Sequence, residues 1–582
     1  MSERSFKLVE GFAEVIGGHA TVVAGREWLD RVAWRRYFKR GWQIRMDGGM
    51  FIEWRTDALP RDTEEDDRIV FVWDMGLGCV ADSPQPTGEY IIEVNGKRVL
   101  SFCSTTIDRT WKKGECHFHF EVKRRDGQCA YGLGYLLVPG SIVRTLLAAN
   151  IRISASDTRS QRWFILCQYG EGCLATGISF NEPNATATYI QDGLEAVQAG
   201  PHRLSADGLS LYWGDLHVHS SMANYIEHTP DQNYEYGRDV SQLDFMAITD
   251  QEHFLTEETF PTVVESANKH HAAGEFVTFI AYEWSSRLFG HRNVIFKGDC
   301  GILVRRHNTQ APYEPPYAME ERDSFHHLCK ALKHFGGEVM LLPHHPSMCS
   351  MGALDWSNFD SELERVAEIY SLWGSSEYRA APGRSRINDQ RTGSYYQDAL
   401  AKGYCLGIIG SGEAGDGHPG NTQWRRTYAD KAGLAMTPLG GGLTAVWAKE
   451  LTRESIFDAI KVRRCYGTTN ARIALKFKLN NRWMGERIVV SEDDIEAGFP
   501  VTLELWGRGT DDIECIHLFA NGRVAGFSAG YGNEMNYEYS GVVGKNDCLL
   551  AGQKRFAYFY ARVTQKDGHM AWSSPVWICL EP

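Results

Sequence analysis

Two kinds of hydrophobic pattern divide the chain into three segments. Residues 1–205 carry short runs of alternating apolar and polar positions, such as RIVFVWDM (68–75), and the Asn95-Gly96 pair marks a tight turn between two such runs. Alternation with a period of two is typical of strands that bury one face. The first segment is therefore predicted to be an all-β sandwich domain.

In the middle segment, residues 206–469, short apolar strands alternate with helical segments. The predicted strands are LYWGDLHV, LDFMAITD, FVTFIAYEW, EVMLLPHH, VAEIYSLW, YCLGIIGS and LTAVWAK. Such alternation predicts an α/β fold with a parallel sheet, either closed into a barrel or doubly wound. Residues 470–582 return to alternating strands, which predicts a second, smaller β-sandwich. The chain is thus expected to form three domains, at 1–205, 206–469 and 470–582.

Composition limits the location and the partners. The 582 residues carry 61 Lys and Arg against 74 Asp and Glu, and this net charge of −13 disfavours nucleic acid and anionic membranes. No apolar run approaches the roughly 18 residues of a membrane span, and no secretory signal is recognisable at the N-terminus. The fourteen cysteines lack a CxxC pair, as in proteins of reducing compartments. A cytoplasmic protein is predicted, and an oligomer is left open.

Histidine is distributed unevenly along the chain. Thirteen of the twenty histidines lie between His217 and His345. Catalytic groups of α/β barrels occupy the C-terminal ends of strands, and several of these histidines follow predicted strands. His217 and His219 are two residues apart after the first strand, so both imidazoles can reach one metal. Further nitrogen and oxygen ligands at or near strand ends are Asp250, His253, Glu283, His291, His344, His345, Glu368, Glu413 and His418.

A second HxH pair in the first segment serves as a comparison. His117 and His119 lie in an alternating strand without ligands at neighbouring strand ends, and we expect them to face solvent at a sheet edge. The middle segment differs because it combines imidazoles with carboxylates, which suit Zn²⁺, Mn²⁺ or Fe²⁺. One carboxylate can also bridge two ions. The middle segment therefore predicts a site for divalent metal ions.

These motifs resemble the polymerase and histidinol phosphatase (PHP) superfamily of metal-dependent phosphoesterases. The positions similar to its motifs are His217 and His219 in GDLHVHS, Glu283 in AYEWSS, His291 in GHRN, and one of His344 or His345 in PHHP. With RRCYGTTNARI (463–473), they are similar to a poorly characterised PHP-like branch with flanking β domains. The resemblance covers essentially the whole chain. It implies a distorted seven-stranded (β/α)7 barrel, similar to a TIM barrel, between the two β-sandwich domains.

The resemblance implies two metal ions that share one carboxylate. The implied ligands are His217, His219, Glu283 and Glu413 for one ion, and Glu283, His291 and either His344 or His345 for the other. A water between the two ions, with its pKa lowered toward neutrality, would be the nucleophile. Asp250 or His253 would then take or deliver the proton.

Two positions depart from the family pattern. Gln251 and Gly415 stand where the family has histidines, and in trinuclear members those histidines bind the same ion. That third site is therefore either absent or rebuilt from His228, His253 and His418, which lie nearby in the sequence. The number of ions is left open between two and three.

Arginine and tryptophan side chains near the strand ends are candidates for contact with the substrate. They are Arg292 beside a metal ligand, Arg379, Arg384 and Arg386 in one loop, and Trp284 and Trp373 just past strand ends. The loop arginines either form a solvated surface or clamp a phosphate, sulfate or carboxylate, which guanidinium groups bind bidentately. The tryptophans either pack in the core or stack on a sugar or aromatic substrate.

The sequence therefore predicts a metal-dependent hydrolase that acts on a phosphate ester of a small or sugar-derived molecule. One alternative is a hydrolase or lyase for an amide, lactone, sulfate ester or other sugar-derived substrate. Another is a carbohydrate-binding protein whose barrel has lost its activity. The chain has no phosphate-binding glycine loop and no Gly-x-Ser-x-Gly elbow, so nucleotide binding of those types and serine catalysis are not supported.

Overall fold

A computed structural model gives the architecture of most of the chain. The described residues are 6–10, 14–18, 21–24, 40–46, 50–56, 58–60, 62–79, 89–103, 105, 108–126, 129–143, 147–155, 162–167, 192–200, 203–223, 226, 228–306, 324–382, 390–415, 417–422, 439–552 and 554–581. They form a mixed α/β protein with several sheets and few helices. Two compact units are present, Met1–His202 with Asp239–Gln242, and Arg203–Arg238 with Leu243–Pro582.

The first unit is built from two sheets. Its elements are β1 (Phe6–Glu10), β2 (Glu14–Gly18), β3 (Thr21–Ala24), β4 (Arg40–Met46), β5 (Phe51–Arg55), β6 (Arg68–Cys79), β7 (Glu89–Val94), β8 (Lys97–Cys103), β9 (Arg109–Lys113), β10 (Cys116–Asp126), β11 (Cys129–Pro139), β12 (Asn150–Ala155), β13 (Arg162–Cys167) and α1 (192–199). One sheet has the order β3-β4-β13-β6-β11-β10-β9 with β1 beside β6, and the other has the order β2-β5-β12-β7-β8. Trp54 and Trp73, one from each sheet, meet at 5.3 Å between ring centroids, so the sheets share one core.

The turn between β7 and β8 forms where the sequence predicts it. Asn95 and Gly96 both have positive φ, 52° and 75°, as a two-residue type I′ hairpin requires. The expectation for the HxH pair of β10 was wrong, because His117 and His119 are only 7% and 6% exposed. β9 covers the edge of β10, and both rings are hydrogen-bonded through Nδ1, to the Val197 main-chain oxygen and the Thr110 hydroxyl.

The second unit contains the predicted middle and C-terminal segments. Its elements are β14 (Ser205–Ala206), β15 (Leu209–Asp215), α2 (Pro230–Asp239), β16 (Phe245–Ala247), α3 (Phe260–His270), β17 (Val277–Trp284), β18 (Arg292–Phe296), α4 (Phe325–His334), β19 (Val339–Pro343), β20 (Val366–Ser371), β21 (Gly374–Ser375), α5 (Tyr396–Ala401), β22 (Gly407–Gly410), β23 (Leu443–Ala448), α6 (Arg453–Lys461), β24 (Cys465–Thr468), β25 (Ala474–Leu479), β26 (Arg482–Trp483), β27 (Arg487–Val490), α7 (Glu492–Ala497), β28 (Phe499–Arg508), β29 (Ile513–Ala520), β30 (Arg523–Ala529), β31 (Glu534–Val543), β32 (Leu549–Ala551), β33 (Lys554–Gln565), β34 (Met570–Ser573) and β35 (Val576–Leu580). All seven strands predicted between 206 and 469 are present, as β15, β16, β17, β19, β20, β22 and β23.

The pairing of these strands is more mixed than predicted. β15, β16 and β17 are parallel, and so are β20 and β22, but β18 runs antiparallel to both β17 and β19, and β23 runs antiparallel to β15. The chain turns back directly after β17, and a hairpin connection leaves no crossover helix to make the next strand parallel. The strand pairs of the described residues therefore form a mixed sheet and show no clear (β/α)7 barrel.

The C-terminal strands continue the same large sheet. β24 pairs with β34, and the order runs on through β33, β29 and β30, while β26, β25, β28 and β31 form a separate four-stranded sheet. The two groups of strands share a hydrophobic core with the strands around β15. The domain boundaries near residues 205 and 470 stay predictions.

The helices are short, and their starts follow from local sequence. Thr229 accepts a hydrogen bond from the Gln232 main-chain nitrogen at 3.3 Å, which caps α2, and Pro230 occupies the first turn, where its missing N–H is tolerated. In the part of the chain that the structure describes, no helix has the length and apolar character to cross a membrane.

Candidate metal centre

The C-terminal ends of several strands converge at one place in the second unit. A parallel bridge joins Val218, just after β15, to Ala414, just after β22, and the His219 main-chain nitrogen donates to the Ala414 oxygen at 2.7 Å. A second parallel bridge joins Gln251 after β16 to Glu283 on β17. Because both bridges lie beyond the regular pairing, they bring the predicted ligands of four strands together.

Glu283 lies among the histidines that the sequence singled out. Its Oε2 is 3.6 Å from His217 Nε2 and 3.5 Å from His219 Nε2. Its Oε1 is 2.8 Å from His291 Nδ1 and 4.0 Å from His344 Nε2. The carboxylate thus faces one pair of imidazoles with each oxygen, which is the arrangement expected of a group shared by two ions.

Three overlapping groups of side chains have ligand atoms within 4.8 Å of one another. The groups are His217, His219 and Glu283; His291, His344 and His345; and His217, His344, Glu368 and Glu413. Every member is buried, and Glu413 is the most exposed at 6%. Both His344 and His345 belong to the centre, where the sequence left a choice between them.

Two of these residues adopt a backbone conformation that L-amino acids rarely take. His345 has φ of 33° and Glu413 has φ of 52°, and their side chains approach each other to 3.9 Å between His345 Nε2 and Glu413 Oε1. Positive φ in a residue other than glycine costs on the order of 1 kcal/mol or more. Such strain is typical of functional sites, where the surrounding fold holds a side chain in place.

The chemistry of the donor set fits divalent metal ions. Buried nitrogens of four imidazoles have no hydrogen-bond partner in the described residues; these are Nε2 of His217, Nδ1 of His219, and both ring nitrogens of His344 and His345. The three carboxylates beside them are Glu283, Glu368 and Glu413. Among the described residues, none of the three forms an ion pair with Lys or Arg. Buried charges of this kind need a cation, and imidazole with carboxylate suits Zn²⁺, Mn²⁺ or Fe²⁺.

Burial largely sets the protonation of the histidines. It lowers the pKa of His219 to about 4 and the pKa of His344 and His345 well below the ordinary value, so these rings are neutral near pH 7. Burial would also lower the pKa of His217, but Glu413, Glu283 and Glu368 raise it well above the ordinary value. A metal ion and a proton on His217 would therefore compete for the same carboxylates.

Glu368 is a member of the centre that the PHP resemblance did not imply. Its Oε2 is 3.0 Å from His217 Nδ1, and its Oε1 accepts a hydrogen bond from the His345 main-chain nitrogen at 3.3 Å. The available signal was a carboxylate within the apolar strand VAEIYS, because a charge in a fully buried strand needs a partner.

A series of hydrogen bonds holds Glu283 on the side away from the histidines. The Ser285 hydroxyl donates to Glu283 Oε1 at 2.5 Å, and the Ser285 main-chain nitrogen donates to Glu252 Oε2 at 3.0 Å. Glu252 is fully buried and its other oxygen accepts from Arg306 Nε at 2.6 Å. The sequence did not predict these hydrogen bonds, because Arg306 lies 54 residues from Glu252.

Asp250 is fully buried beside the centre. Ser220, the residue after His219, donates to it through the main-chain nitrogen at 2.6 Å and through the hydroxyl at 2.5 Å. Burial raises the pKa of Asp250 to about 7 although these bonds lower it.

Asp215 has a different role, because it accepts main-chain bonds from Gly412 and Gly420 and so holds the loop that carries Glu413.

The three histidines proposed for a third ion lie near the centre but do not join its groups. His228 and His418 are partly exposed, with their ring centroids 6.3 Å apart. Gly417 makes this approach possible, since a Cβ there would come within 2.3 Å of the His228 ring. The His253 ring lies 3.7 Å from Glu252 Oε2. The role of these histidines as ligands stays a prediction.

The guanidinium group of Arg292 is held by other parts of the protein. Every guanidinium nitrogen is engaged: Nε donates to Glu364 at 2.9 Å, Nη1 to the main-chain oxygens of Phe289 and Gly290, and Nη2 to that of Asn358 at 2.9 Å. Its side chain is also fully buried. Arg292 therefore ties the β17–β18 hairpin to neighbouring loops, and its predicted contact with substrate stays a prediction.

The other residues predicted to contact substrate, the loop arginines and two tryptophans, differ in their exposure to solvent. Arg379 is exposed, and Arg384 and Arg386 lie outside the described residues. Trp284 is fully buried in the main hydrophobic core. Trp373 is 8% exposed, and its side chain lies close enough to Glu413 to lower the pKa of that carboxyl.

Part of the chain is similar to a family without an assigned function. A family model described as "Protein of unknown function (DUF3604)" matches residues 237–371 and 409–496. An uncharacterized protein of Chlamydia pneumoniae is 27% identical over 419 residues, covering 69% of this chain and 63% of that protein. One of Chlamydia muridarum is 27% identical over 388 residues, covering 64% and 58%. The chain therefore matches less than two thirds of the length of these curated relatives.

One solved structure with a slight likeness comes from Bacteroides vulgatus. It is described as a two-domain protein containing a predicted PHP-like metal-dependent phosphoesterase, with 16% identity, a TM-score of 0.31, and coverage of 65% of this chain and 98% of that one. This likeness is too slight to assign a fold or an activity to the chain.

Proposed function

We propose that this protein is a metal-dependent hydrolase with its active site at the centre around Glu283. The observation that carries the proposal is the convergence of buried imidazole nitrogens on Glu283, Glu368 and Glu413, three buried carboxylates that form no ion pair with Lys or Arg among the described residues. Two ions suit the ligand groups, one at His217, His219 and Glu283 and one at His291, His344 and His345. A distorted PHP-type barrel around this centre is part of the proposal, on the strength of the sequence motifs.

The protein residues would orient the ligands and manage the proton. When bound, the ions would supply Lewis acidity and a water acidic enough to attack near neutral pH. Glu368 orients His217, and Ser285 holds Glu283. Asp250, buried and fixed by two bonds from Ser220, is the proposed proton carrier, with His253 as the alternative.

A phosphate ester of a small or sugar-derived molecule is the proposed substrate. His217, His219, Glu283, His291, His344 and His345 would hold divalent ions, which would supply the positive charge that a phosphoryl group needs. The sequence motifs that surround these ligands resemble those of metal-dependent phosphoesterases. The loop with Arg379 is proposed to meet the rest of the substrate.

One observation favours a second candidate, a hydrolase or lyase for a substrate without phosphate. The buried groups next to the ligands are acidic, and Arg292, the predicted anion contact, is bound elsewhere. A surplus of carboxylates repels a dianion and is better suited to a neutral amide, lactone or sugar-derived substrate.

Metal analysis combined with a substrate panel tests the proposal. Plasma mass spectrometry of the purified full-length protein should find Zn, Mn or Fe, and Glu283→Gln should lose most of it. Glu121→Gln is a matched control, because Glu121 is also buried but binds Tyr135 in the first unit. Equal metal content in both variants would contradict the proposal. Metal-dependent turnover of phosphomonoesters or diesters supports a phosphoesterase, and bound metal without such turnover supports the second candidate.

A further inference from the structure

Two consecutive arginines, Arg305 and Arg306, follow β18 in the chain. The Val304 main-chain nitrogen, just before them, donates to the Tyr282 hydroxyl at 3.2 Å, which holds this segment against β17. Arg305 Nε donates to the Glu252 main-chain oxygen at 3.2 Å, and Arg306 Nε donates to Glu252 Oε1 at 2.6 Å. Both guanidinium groups therefore reach the same residue, Glu252.

Glu252 places these arginines next to the metal centre. Its main-chain nitrogen donates to the Glu283 main-chain oxygen at 2.8 Å. Its Oε2 accepts a hydrogen bond from the Ser285 main-chain nitrogen at 3.0 Å, and the Ser285 hydroxyl donates to Glu283 Oε1. Only Ser285 thus stands between the Glu252 carboxylate and the carboxylate that the two proposed ions share.

One nitrogen of Arg306 is left without a partner although it is buried. The residue is 6% exposed, and its Nη2 forms no hydrogen bond in the part of the chain that the structure describes. A carboxylate that binds an arginine bidentately places one oxygen on each of two guanidinium nitrogens. Glu252 supplies only Oε1, because its Oε2 is held by Ser285. The donors of Arg306 Nη2 are therefore available to another acceptor.

The positive charge at this place exceeds the negative charge. Arg306 pairs with Glu252, whereas Arg305 forms no ion pair with Asp or Glu among the described residues. Two guanidinium groups thus share one carboxylate. Arg305 is half-buried and Arg306 is buried, so their surplus charge is partly withdrawn from water. A cation in such surroundings attracts an anion more strongly than a cation at the surface does.

His253 supplies another nitrogen beside the arginines. It follows Glu252 in the chain, and its Nδ1 lies 3.7 Å from Glu252 Oε2, too far for a hydrogen bond. This nitrogen is buried and has no hydrogen-bond partner in the described part of the chain. Arg306 and His253 therefore each leave one buried nitrogen open beside Glu252, and such nitrogens suit the oxygens of a ligand.

We propose that Arg306, together with Arg305, binds the phosphate group of the substrate at the edge of the metal centre. Guanidinium groups match the oxygens of phosphate in charge and geometry. The proposal rests on the proposed function, since the phosphate belongs to the molecule on which the metal centre would act. It gives a phosphate ester a cationic protein contact, which the carboxylates around Glu283 do not provide.

The variants are chosen so that no buried charge loses its partner. Removal of Arg306 alone would leave the buried Glu252 without a cation, so both are replaced together, as Arg306→Gln with Glu252→Gln. Arg305→Met is the second variant, because its hydrogen bond goes to a main-chain oxygen. Arg464→Met is its matched control: Arg464 is also half-buried, and its Nε donates to the Trp447 main-chain oxygen at 2.7 Å.

Titration calorimetry with inorganic phosphate measures the site without turnover, in the full-length protein with metal in excess. Arg305→Met and the double variant should each bind phosphate about 10–100-fold more weakly than wild type, the usual effect of losing a hydrogen bond between charged groups. Arg464→Met should bind phosphate as wild type does. Absence of phosphate binding in the wild-type protein, or equal affinity in all the variants, would overturn the proposal.

Metal content and turnover separate this proposal from the proposed function. Arg305→Met should keep the wild-type metal content, which Glu283→Gln should lose. With a phosphomonoester as substrate, its KM should rise about 10-fold while kcat changes less, because the contact is already made when the substrate binds. Turnover with an unchanged KM overturns the phosphate contact and leaves the metal-dependent hydrolase intact. Phosphate binding that depends on the arginines, without any turnover, supports the contact and contradicts the phosphoesterase.

Discussion

His217 Nδ1 lies 3.0 Å from Glu368 Oε2, and each of the two residues is at most 1% exposed to solvent. The other ring nitrogen of His217, Nε2, faces Glu283 at 3.6 Å. A carboxylate bound to one nitrogen of a histidine fixes the tautomer and turns the second nitrogen toward a metal. Glu368 is therefore placed to orient His217, in addition to belonging to a group of potential ligands.

Glu368→Gln should weaken metal binding without abolishing the fold. The amide keeps the size of the side chain but lacks the charge that makes the imidazole a stronger ligand, and such changes typically reduce affinity about 10–100-fold. Competition with a coloured chelator measures the affinity. Wild-type affinity in this variant would contradict the positioning role of Glu368.

Ser285→Ala should also lower metal affinity, by about 10-fold, because it removes the hydroxyl that holds Glu283. The neighbouring Ser286 is a matched control. It is buried as well, but its hydroxyl accepts a bond from the Phe289 main-chain nitrogen instead of contacting a ligand. Ser286→Ala should keep the wild-type affinity, and equal losses in the two variants would exclude a specific role for Ser285.

Removal of metal should destabilise the second unit. Chelation would leave Glu283, Glu368 and Glu413 buried without a cation, which opposes folding. An ion at about 1,000 times its Kd stabilises the folded form by about 4 kcal/mol, so dialysis against a chelator should lower Tm by several degrees. Calorimetry before and after addition of Zn²⁺ or Mn²⁺ measures the effect. An unchanged Tm would show that the fold does not need the ion.

Arg562→Met should destabilise the second unit strongly. Arg562 Nη1 is 2.6 Å from Glu377 Oε2, both groups are buried, and Tyr560 and Trp572 donate to the same carboxylate. Loss of one partner of a buried ion pair costs about 3–5 kcal/mol. Arg508→Met is the control, because its contact with Glu534 is half exposed and such pairs contribute about 0–1 kcal/mol. Urea unfolding compares the two variants.

Asp74→Asn should change how the stability of the first unit depends on pH. Asp74 is fully buried, neither carboxylate oxygen has a partner among the described residues, and burial raises its pKa well above the ordinary value. Above the unfolded pKa of about 4 the folded protein keeps a proton that the unfolded chain loses, so stability falls as pH rises, by up to about 1.4 kcal/mol per unit.

The variant should remove this slope between about pH 5 and pH 8, as measured by chemical unfolding at several pH values. The exposed Asp66 provides the control, since Asp66→Asn should leave the slope unchanged. A wild-type slope in Asp74→Asn would mean that Asp74 is ionised in the folded protein.

Local sequence patterns were sufficient to predict the strands and to select most of the histidines in the metal centre. The Asn95-Gly96 turn, the seven strands of the middle segment and the positions of His217, His219 and Glu283 near strand ends all follow from rules that act over a few residues. The mixed strand direction was missed because β18, which a short hairpin connects to β17, was not among the predicted strands.

Partners far apart in the chain could not be predicted. Arg292 pairs with Glu364, and Glu368 pairs with His217 across 151 residues. Periodicity and spacing cannot predict such a pair. A buried polar side chain needs a partner, but its own sequence position does not specify which residue that partner is. The same limit explains why His117 and His119, an HxH pair like the one in the centre, were expected in solvent but are buried.

By itself, the sequence determined which elements form and which residue types are available for metal chemistry, because propensity, turns and alternation act locally. Only the tertiary structure decided which of those residues meet. Burial gathers Glu283 and five imidazoles in one place and leaves several ring nitrogens without a hydrogen-bond partner among the described residues, while it commits Arg292 to Glu364. The physical reason is desolvation: a polar group removed from water must find a partner, and the fold alone sets whether that partner is a protein atom or is left for an ion.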